Sequence, residues 1–289
     1  MSTPAVSSYE LAPQVSIWRV FIRNRASVAG AVVLLTLVLI ALLGPFVTPY
    51  DPHSTGAGEV MQAPGAKHWF GTDELGRDVL SRVCIGVGTS LLVGLIAAVI
   101  ATTIAVLVGA IAGFHGGFVD DVLMRATEVF QVIPRFFLAI LLVAFFGASV
   151  FNIILAIGVL SWPEVARIVR AEFLSLKSRQ FVSAARVAGA GTTEVIFTEI
   201  LPNAMGPVVV NATLQIGQAM LLEAGLSYLG LGDPSQISLG LMLYQSQEIM
   251  RSAWWATAFP GLFIFLAVLS ANLAGDGLND IFNPRARGR

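Results

Sequence analysis

Six ionisable side chains lie against the most apolar stretches of this sequence: Glu128, Arg135, Glu164, Glu223, Asp276 and Asp280. Charges in hydrocarbon are costly, so such groups default to solute pathways or to pairing with one another. Each stands near the end of an apolar stretch, within reach of interfacial water. The spacing therefore predicts interface anchoring or interhelical pairing. None sits where an ion-coupled carrier would bury a midplane carboxylate, so the energy for any transport is expected from another subunit.

Other chemistry finds little support. His53, His68 and His115 stand alone, without HExxH spacing or a neighbouring Cys that would suit a metal. No GxxxxGK[ST] loop is present to cradle nucleotide phosphates. No GxSxG elbow is present either, and Ser and His do not fall where a buried acyl-transfer pair is expected, which leaves an intramembrane protease without its main support. Cys84, the single cysteine, excludes an intramolecular disulfide framework and reads as a small apolar filler.

The elements that hold these residues must be mostly lipid-solvated. Of 289 residues, 56% are hydrophobic and only 12% are charged. Soluble domains carry about 25% charged residues. A net charge of -1 gives no sign of a nucleic-acid partner. Residues 1–16 are rich in Ser and Pro and are expected to carry little order. Residues 28–47 contain no charge, and thirteen of them are Leu, Ile, Val or Phe. As a helix this run crosses about 30 Å of hydrocarbon, with an insertion gain of about 4–8 kcal/mol. The run exceeds the apolar core of a cleaved signal peptide, so it reads as a retained first span.

Further spans are expected at 88–113, 205–222 and 259–273. The 28 uncharged residues at 136–163 fit one long helix or a tight hairpin of two spans, with a turn at Gly147-Ala148-Ser149. Charge bias decides between them. Six spans put thirteen Lys and Arg residues on one side and four on the other, whereas five spans give eleven and six. The expectation is six spans with both termini cytoplasmic. Residues 1–27 form an N-terminal cytoplasmic segment, 28–282 the membrane domain and 283–289 a cytoplasmic tail. Within the domain, 48–87 and 225–258 lie outside and 163–203 lies in the cytoplasm.

The cytoplasmic segment contains the polar island FVSAARVAGAGTTEVIFTEILPN at 181–203. Residues 181–188 can form a short helix with Ala184, Ala185 and Ala188 on one side. Gly189, Ala190 and Gly191 break it. A second helix is expected from Thr192, with a hydroxyl cap and the acidic first-turn residue Glu194. Ile196 and Ile200 fall on one face of it. Leu201-Pro202-Asn203 is expected to close it, with Pro202 in the first turn of the next span. Such a helix-Gly-helix elbow admits a second backbone closely, although spacing alone also permits an ordinary loop.

These residues resemble the EAA loop of ABC importer permeases, through Ala184-Ala185, Gly189 and Leu201-Pro202. Ser183 stands where that family usually has Glu, and Glu199 where it prefers an apolar residue or His. HWFGTDELGRDVLSRV (68–83), EAGLSYLGLGDPSQISLGLML (223–243), WWATAFPGLFIFLAVLSANLAGDGLNDIFNPR (254–285) and WRVFIRNR (18–25) resemble the C-type permease of dipeptide and oligopeptide importers. In the outer stretch, Gly71-Thr72-Asp73-Glu74 reads as an Asx-type turn feeding a short helix, with Arg77 spaced to pair with Asp73 and Glu74.

The resemblance implies an all-α, six-span subunit of the type I ABC importer fold in a bacterial plasma (inner) membrane. It implies a B-type partner permease, one or two ABC ATPases and an extracytoplasmic substrate-binding protein. ATP and Mg would be bound by the ATPases, with no cofactor in this chain. Ala184, Ala185, Ala188, Gly189, Thr192, Glu194 and Pro202 would form the ATPase-coupling surface. Peptide is the default solute of the subfamily, while relatives carry nickel chelates, glutathione, opines or glycosides. An ion-coupled transporter and an intramembrane enzyme are the competing classes. The first predicts solute movement by the chain alone under an ion gradient, the second activity without ATP.

Overall fold

A computed structural model describes residues 21–282. The expectations for residues 1–16, for the start of WRVFIRNR and for the tail at 283–289 lie outside the described residues. The described chain is helical, and its one β-type pairing is an isolated antiparallel bridge between Thr72 and Asp78.

Among the described residues, five helices are long and apolar enough to cross a membrane. The first is α1 (Arg25–Val47), N-capped by the Asn24 side chain, and the second is α2 (Val79–His115), capped by Asp78. Next come α3 (Gly117–Val132) and α4 (Arg135–Phe146), bent by 79° across Pro134. Neither qualifies alone, since the 12 residues of α4 reach only about 18 Å. Together, as one bent pair, they are long and apolar enough for a sixth crossing. The expected hairpin is present. Ser149 caps α5 (Val150–Lys177), and the Asn152 amide donates to the carbonyls of Phe146 and Gly147 across the turn.

Two boundaries differ from expectation. Pro163 lies inside α5, which runs on to Lys177, so the segment 163–203 opens as a continuation of a span. Likewise, Leu201-Pro202-Asn203 does not close a helix. After α6 (Gln180–Val187), the three-residue α7 (Thr192–Glu194) passes through a π-helical stretch, Val195–Ile200, straight into α8 (Leu201–Leu226). Pro202, expected in the first turn of a new span, lies instead inside this continuous helix, just after the π-helical stretch. A short α9 (Leu239–Gln245) precedes the last span, α10 (Trp255–Phe282).

Small residues set how close the spans come. On α2, Ala97, Ala101 and Ala105 are almost fully buried, and Gly109 and Gly113 continue the same four-residue spacing. A Cβ at Gly109 would stand 2.5 Å from the Ala166 carbonyl oxygen of α5, and one at Gly113 2.7 Å from that of Arg170. Another face of α2 meets α8, where a Cβ at Gly94 would lie 2.6 Å from Met220 Cγ. In lipid, helix association depends on this kind of close packing rather than on the hydrophobic effect. The first and last spans meet at one end, where the Asn24 amide donates to Asp280 at 2.9 Å.

At the opposite end the 68–83 stretch forms a buried hydrogen-bonded knot. Asp73 accepts from the Leu75 and Arg77 amides and from Arg77 Nε (2.6 Å), and Arg77 also reaches Glu74. The expected pairing is therefore present, but the turn feeds α2 through the Asp78 cap rather than a separate short helix. His68 Nδ1 lies 2.8 Å from the other Asp78 oxygen, and Arg82 donates to Gln245 of α9.

Glu223 departs from the expected reach to interfacial water. It is 2% exposed, and the hydroxyls of Ser90 (α2) and Ser227 donate to its carboxyl at 3.1 and 2.8 Å. Leu239 N–H donates in turn to Ser90 Oγ, joining α2, α8 and α9.

Two outcomes test this packing. Gly109→Ala should destabilise the protein by about 1–3 kcal/mol through overpacking. Gly261→Ala on α10, where nothing lies within 4 Å of a new Cβ, should leave the melting temperature unchanged or raised. Equal melting temperatures for the two variants would contradict the seam. Asp233 ties the 232–238 loop to α5 by accepting from Val150 N–H. Partial burial raises its carboxyl, but the Ser235 hydroxyl and amide and the Val150 amide outweigh this and hold it below its ordinary value. The tie is therefore present above the unfolded pKa and lost as pH falls through the folded one. Acidification should lower the protection of the Val150 amide relative to its intrinsic exchange rate at the same pH, and Asp233→Asn should show that lowered protection at neutral pH. Protection indifferent to both changes would refute the tie.

Candidate functional site

The polar island folds into an elbow at the end of the molecule where α2 finishes. Helix α6 closes with the Gly189 N–H bonded to the Arg186 carbonyl and the Ala190 N–H to the Ala185 carbonyl. This is a Schellman cap, with Gly189 at φ +93° in the left-handed position. The predicted break is thus a defined turn that a glycine makes possible. On its far side Gly191, not Thr192, occupies the cap position of α7, and its N–H is met by the Glu194 carboxylate at 3.4 Å. The expected hydroxyl cap is therefore absent, because the cap position falls one residue earlier, on a glycine.

Three side chains fasten the elbow to the spans. Val182, Val195 and Ile200 are buried in one cluster with Phe114 at the end of α2 and Phe173 of α5. The Lys177 ammonium donates to the Phe114 carbonyl, and the Arg186 guanidinium lies 5.5 Å from the centre of the Phe114 ring. Close by, Arg170 of α5 holds Asp120 of α3 through both carboxylate oxygens at 2.5 Å. A pair of this bidentate form is geometrically specific, and it fixes α3 against α5.

Outward, the elbow presents the residues singled out from sequence. Ala184, Ala188, Gly189, Thr192, Glu194 and Pro202 are exposed, while Ala185 is half-buried against the anchoring cluster. Sequence reasoning missed Val187, which is 91% exposed at the end of α6, and the exposed rings of Phe181 and Phe197. The signal was available: these apolar residues stand at positions that the anchoring residues Val182, Val195 and Ile200 do not occupy. Of the six ionisable residues, Arg135 and Glu164 lie 3.6 Å apart on facing helices, and Asp280 meets Asn24. Glu128 and Asp276 are exposed. Among the described residues, no group of three or more His, Cys, Asp or Glu could hold a metal.

The same architecture occurs in known proteins. Residues 105–288 match the family model described as binding-protein-dependent transport system inner membrane component. Residues 15–64 match the N-terminal TM domain of oligopeptide transport permease C. The oligopeptide transport system permease protein OppC of Escherichia coli (strain K12) is 43% identical over 279 residues, covering 94% of this chain and 92% of that protein. The di/tripeptide transport system permease protein DppC of Pseudomonas aeruginosa (strain UCBPP-PA14) is 38% identical, covering 95% and 93%. Among solved structures, the inward-facing MetNI methionine ABC transporter aligns with a TM-score of 0.55 over 71% of this chain and 97% of that one. At 19% identity that likeness concerns the fold alone. With matching spans, a matching N-terminal segment and relatives aligned nearly end to end, the chain belongs to the family of binding-protein-dependent transport system inner membrane components.

Proposed function

We propose that this chain is the C-type permease subunit of an ATP-driven importer of dipeptides or oligopeptides. The observation that carries the reading is the elbow, a rigidly anchored but outwardly bare structure at one end of a six-span bundle. Its exposed Val187, Phe181 and Phe197 offer apolar contacts on either side of a turn of small residues in the chain, suited to a groove on another protein. The names of the relatives supply the solute class. In this reading the elbow faces the cytoplasm, as do both termini, in keeping with the excess of Lys and Arg on that side.

The partners follow from what the chain lacks. One or two ATPases bind ATP and Mg and receive the elbow. A second permease, of the B type, completes the solute path. An extracytoplasmic binding protein delivers solute to the opposite face, where the 68–83 knot lies. Closure of the ATPases on ATP displaces the elbow, and the anchoring cluster passes that displacement to α2, α5 and α8. The chain's contribution is conformational, with no bond made or broken in it.

Two variants test the docking role in the assembled complex. Val187→Glu changes a side chain with almost no contacts of its own and should lower ATP-driven uptake about tenfold or more, as loss of an interface anchor does. Gly189→Arg should block transport with the protein still inserted, whereas Gly189→Asn, which tolerates positive φ, should keep most of it. Wild-type uptake in both Val187→Glu and Gly189→Arg at normal expression would sink the docking role.

A further inference from the structure

The bend between α3 and α4 leaves a polar notch in the membrane domain. Its cavity of about 390 Å³ is lined by Phe130, Gln131, Ile133, Pro134 and Arg135 on one side and by Leu160, Ser161, Pro163, Glu164 and Arg167 of α5 on the other. Arg135 begins the 12-residue α4, which places it about 18 Å from the hairpin turn. Ser161 and Glu164 lie at similar depth along α5, about 17–21 Å from its start. Both levels lie toward the elbow end of the hairpin, beside the start of the segment expected in the cytoplasm. Because α3 turns away by 79°, α5 beyond this level is met by α3, through Phe130 on Trp162 and Asp120 on Arg170, rather than by a straight continuation of α4.

The polar groups in the notch are unevenly satisfied. Ser161 is 3% exposed, and its hydroxyl has no hydrogen-bond partner among the described residues, although its carbonyl accepts from Gln215. Arg135 Nη1 is also buried without a partner. The contact of Arg135 with Glu164, at 3.6 Å, is longer than a hydrogen bond, and Glu164 is itself largely exposed. Arg167 has no ion pair among the described residues, unlike Arg170 one turn on, which is held by Asp120. Two guanidiniums, Arg135 half-buried and Arg167 exposed, face one carboxylate and leave the notch with an excess positive charge. Buried donors without partners are unfavourable. Together they describe a site for an anion that is absent from the chain itself.

We propose that the notch receives the carboxylate of the transported solute. Arg135 and Arg167 are the cations, and the Ser161 hydroxyl is an additional donor. Two guanidinium forks suit a planar carboxylate better than a point cation would. Glu164 partly compensates Arg135 while the notch is empty, which keeps the site weak enough to release what it binds. The inference rests on the peptide reading above and adds to it the residues that meet the solute. An anionic lipid headgroup offers the same chemistry, and the test separates the two sources.

The test uses the assembled complex in vesicles, with peptide uptake and ATP hydrolysis measured together. In phosphatidylcholine, Arg135→Gln and Arg167→Gln should each lower uptake about tenfold, the size of one charge-assisted hydrogen bond lost. Receptor-stimulated ATP hydrolysis should remain, and Arg167→Lys should recover part of the uptake by restoring the charge. Unchanged uptake in both Gln variants would overturn the site while leaving the peptide reading intact. If instead the Gln variants match wild type in phosphatidylcholine and lose only a stimulation that phosphatidylglycerol gives the wild type, the anion is a lipid and the solute assignment fails. A wild-type complex that hydrolyses ATP without moving peptide would overturn the peptide reading itself.

Discussion

The backbone approach of α2 to α5 and α8 is the constraint on which the rest of this structure depends. Lipid tails are as apolar as the side chains they would meet, so apolar surface alone does not drive these helices together. Contact at carbonyl distance, through Gly94, Gly109 and Gly113, lets many weak dispersion contacts act at once. Everything functional is built outward from that post. The Asp78 cap fixes its start and ties it to the Asp73–Arg77 knot. Ser90 draws in Glu223 and α9 midway along its outer half. At its other end Phe114 becomes the seat of the elbow.

What could be read from sequence was what is local or set by the solvent. Gaps between charges exposed the spans, and charge asymmetry favoured six crossings, because both follow from the energy of a charge in lipid. The Asp73–Arg77 pair and the Gly189 break were legible because their partners lie within a few residues. The unread features depend on partners far away. Glu223 is buried because Ser90, 133 residues distant, meets it across a helix interface. Nothing within its own segment announces that. Pro163 looked like an end, yet neighbouring helices in a membrane re-satisfy the backbone that a proline frees, and α5 continues through it. The four-residue spacing of Ala97, Ala101, Ala105, Gly109 and Gly113 was visible all along and marks the seam without help from coordinates.

The continuity of the second half of the elbow with α8 bears on how motion would travel. A helix closed at Asn203 would place a hinge between the elbow and the span. Instead the chain is helical from Thr192 to Leu226, with a π-helical stretch where Val195 and Ile200 enter the core. Buried packing of this density does not deform gradually, so a push on the elbow moves whole helices. On the other side of the elbow, α6 is fixed by Val182 in the same cluster, so α5 and α8 receive the push together.

The notch is divided across this mechanical boundary. Ser161, Glu164 and Arg167 ride on α5, which the elbow grips at Phe173 and Lys177. Arg135 rides on α4, which has Pro134 at one end and the Gly147 turn at the other and is free of the elbow cluster. Helix α4 also packs on α5 through Ala139, Val143, Ile153 and Ile157, so in the proposed cycle the separation of Arg135 from Arg167 changes only if these faces slide. Two guanidiniums on one rigid element would hold an anion with the same strength throughout a cycle. Placed on two packed helices, they would hold it strongly in one register and weakly in another, so a motion that opens the path would also loosen the hold on what passes along it.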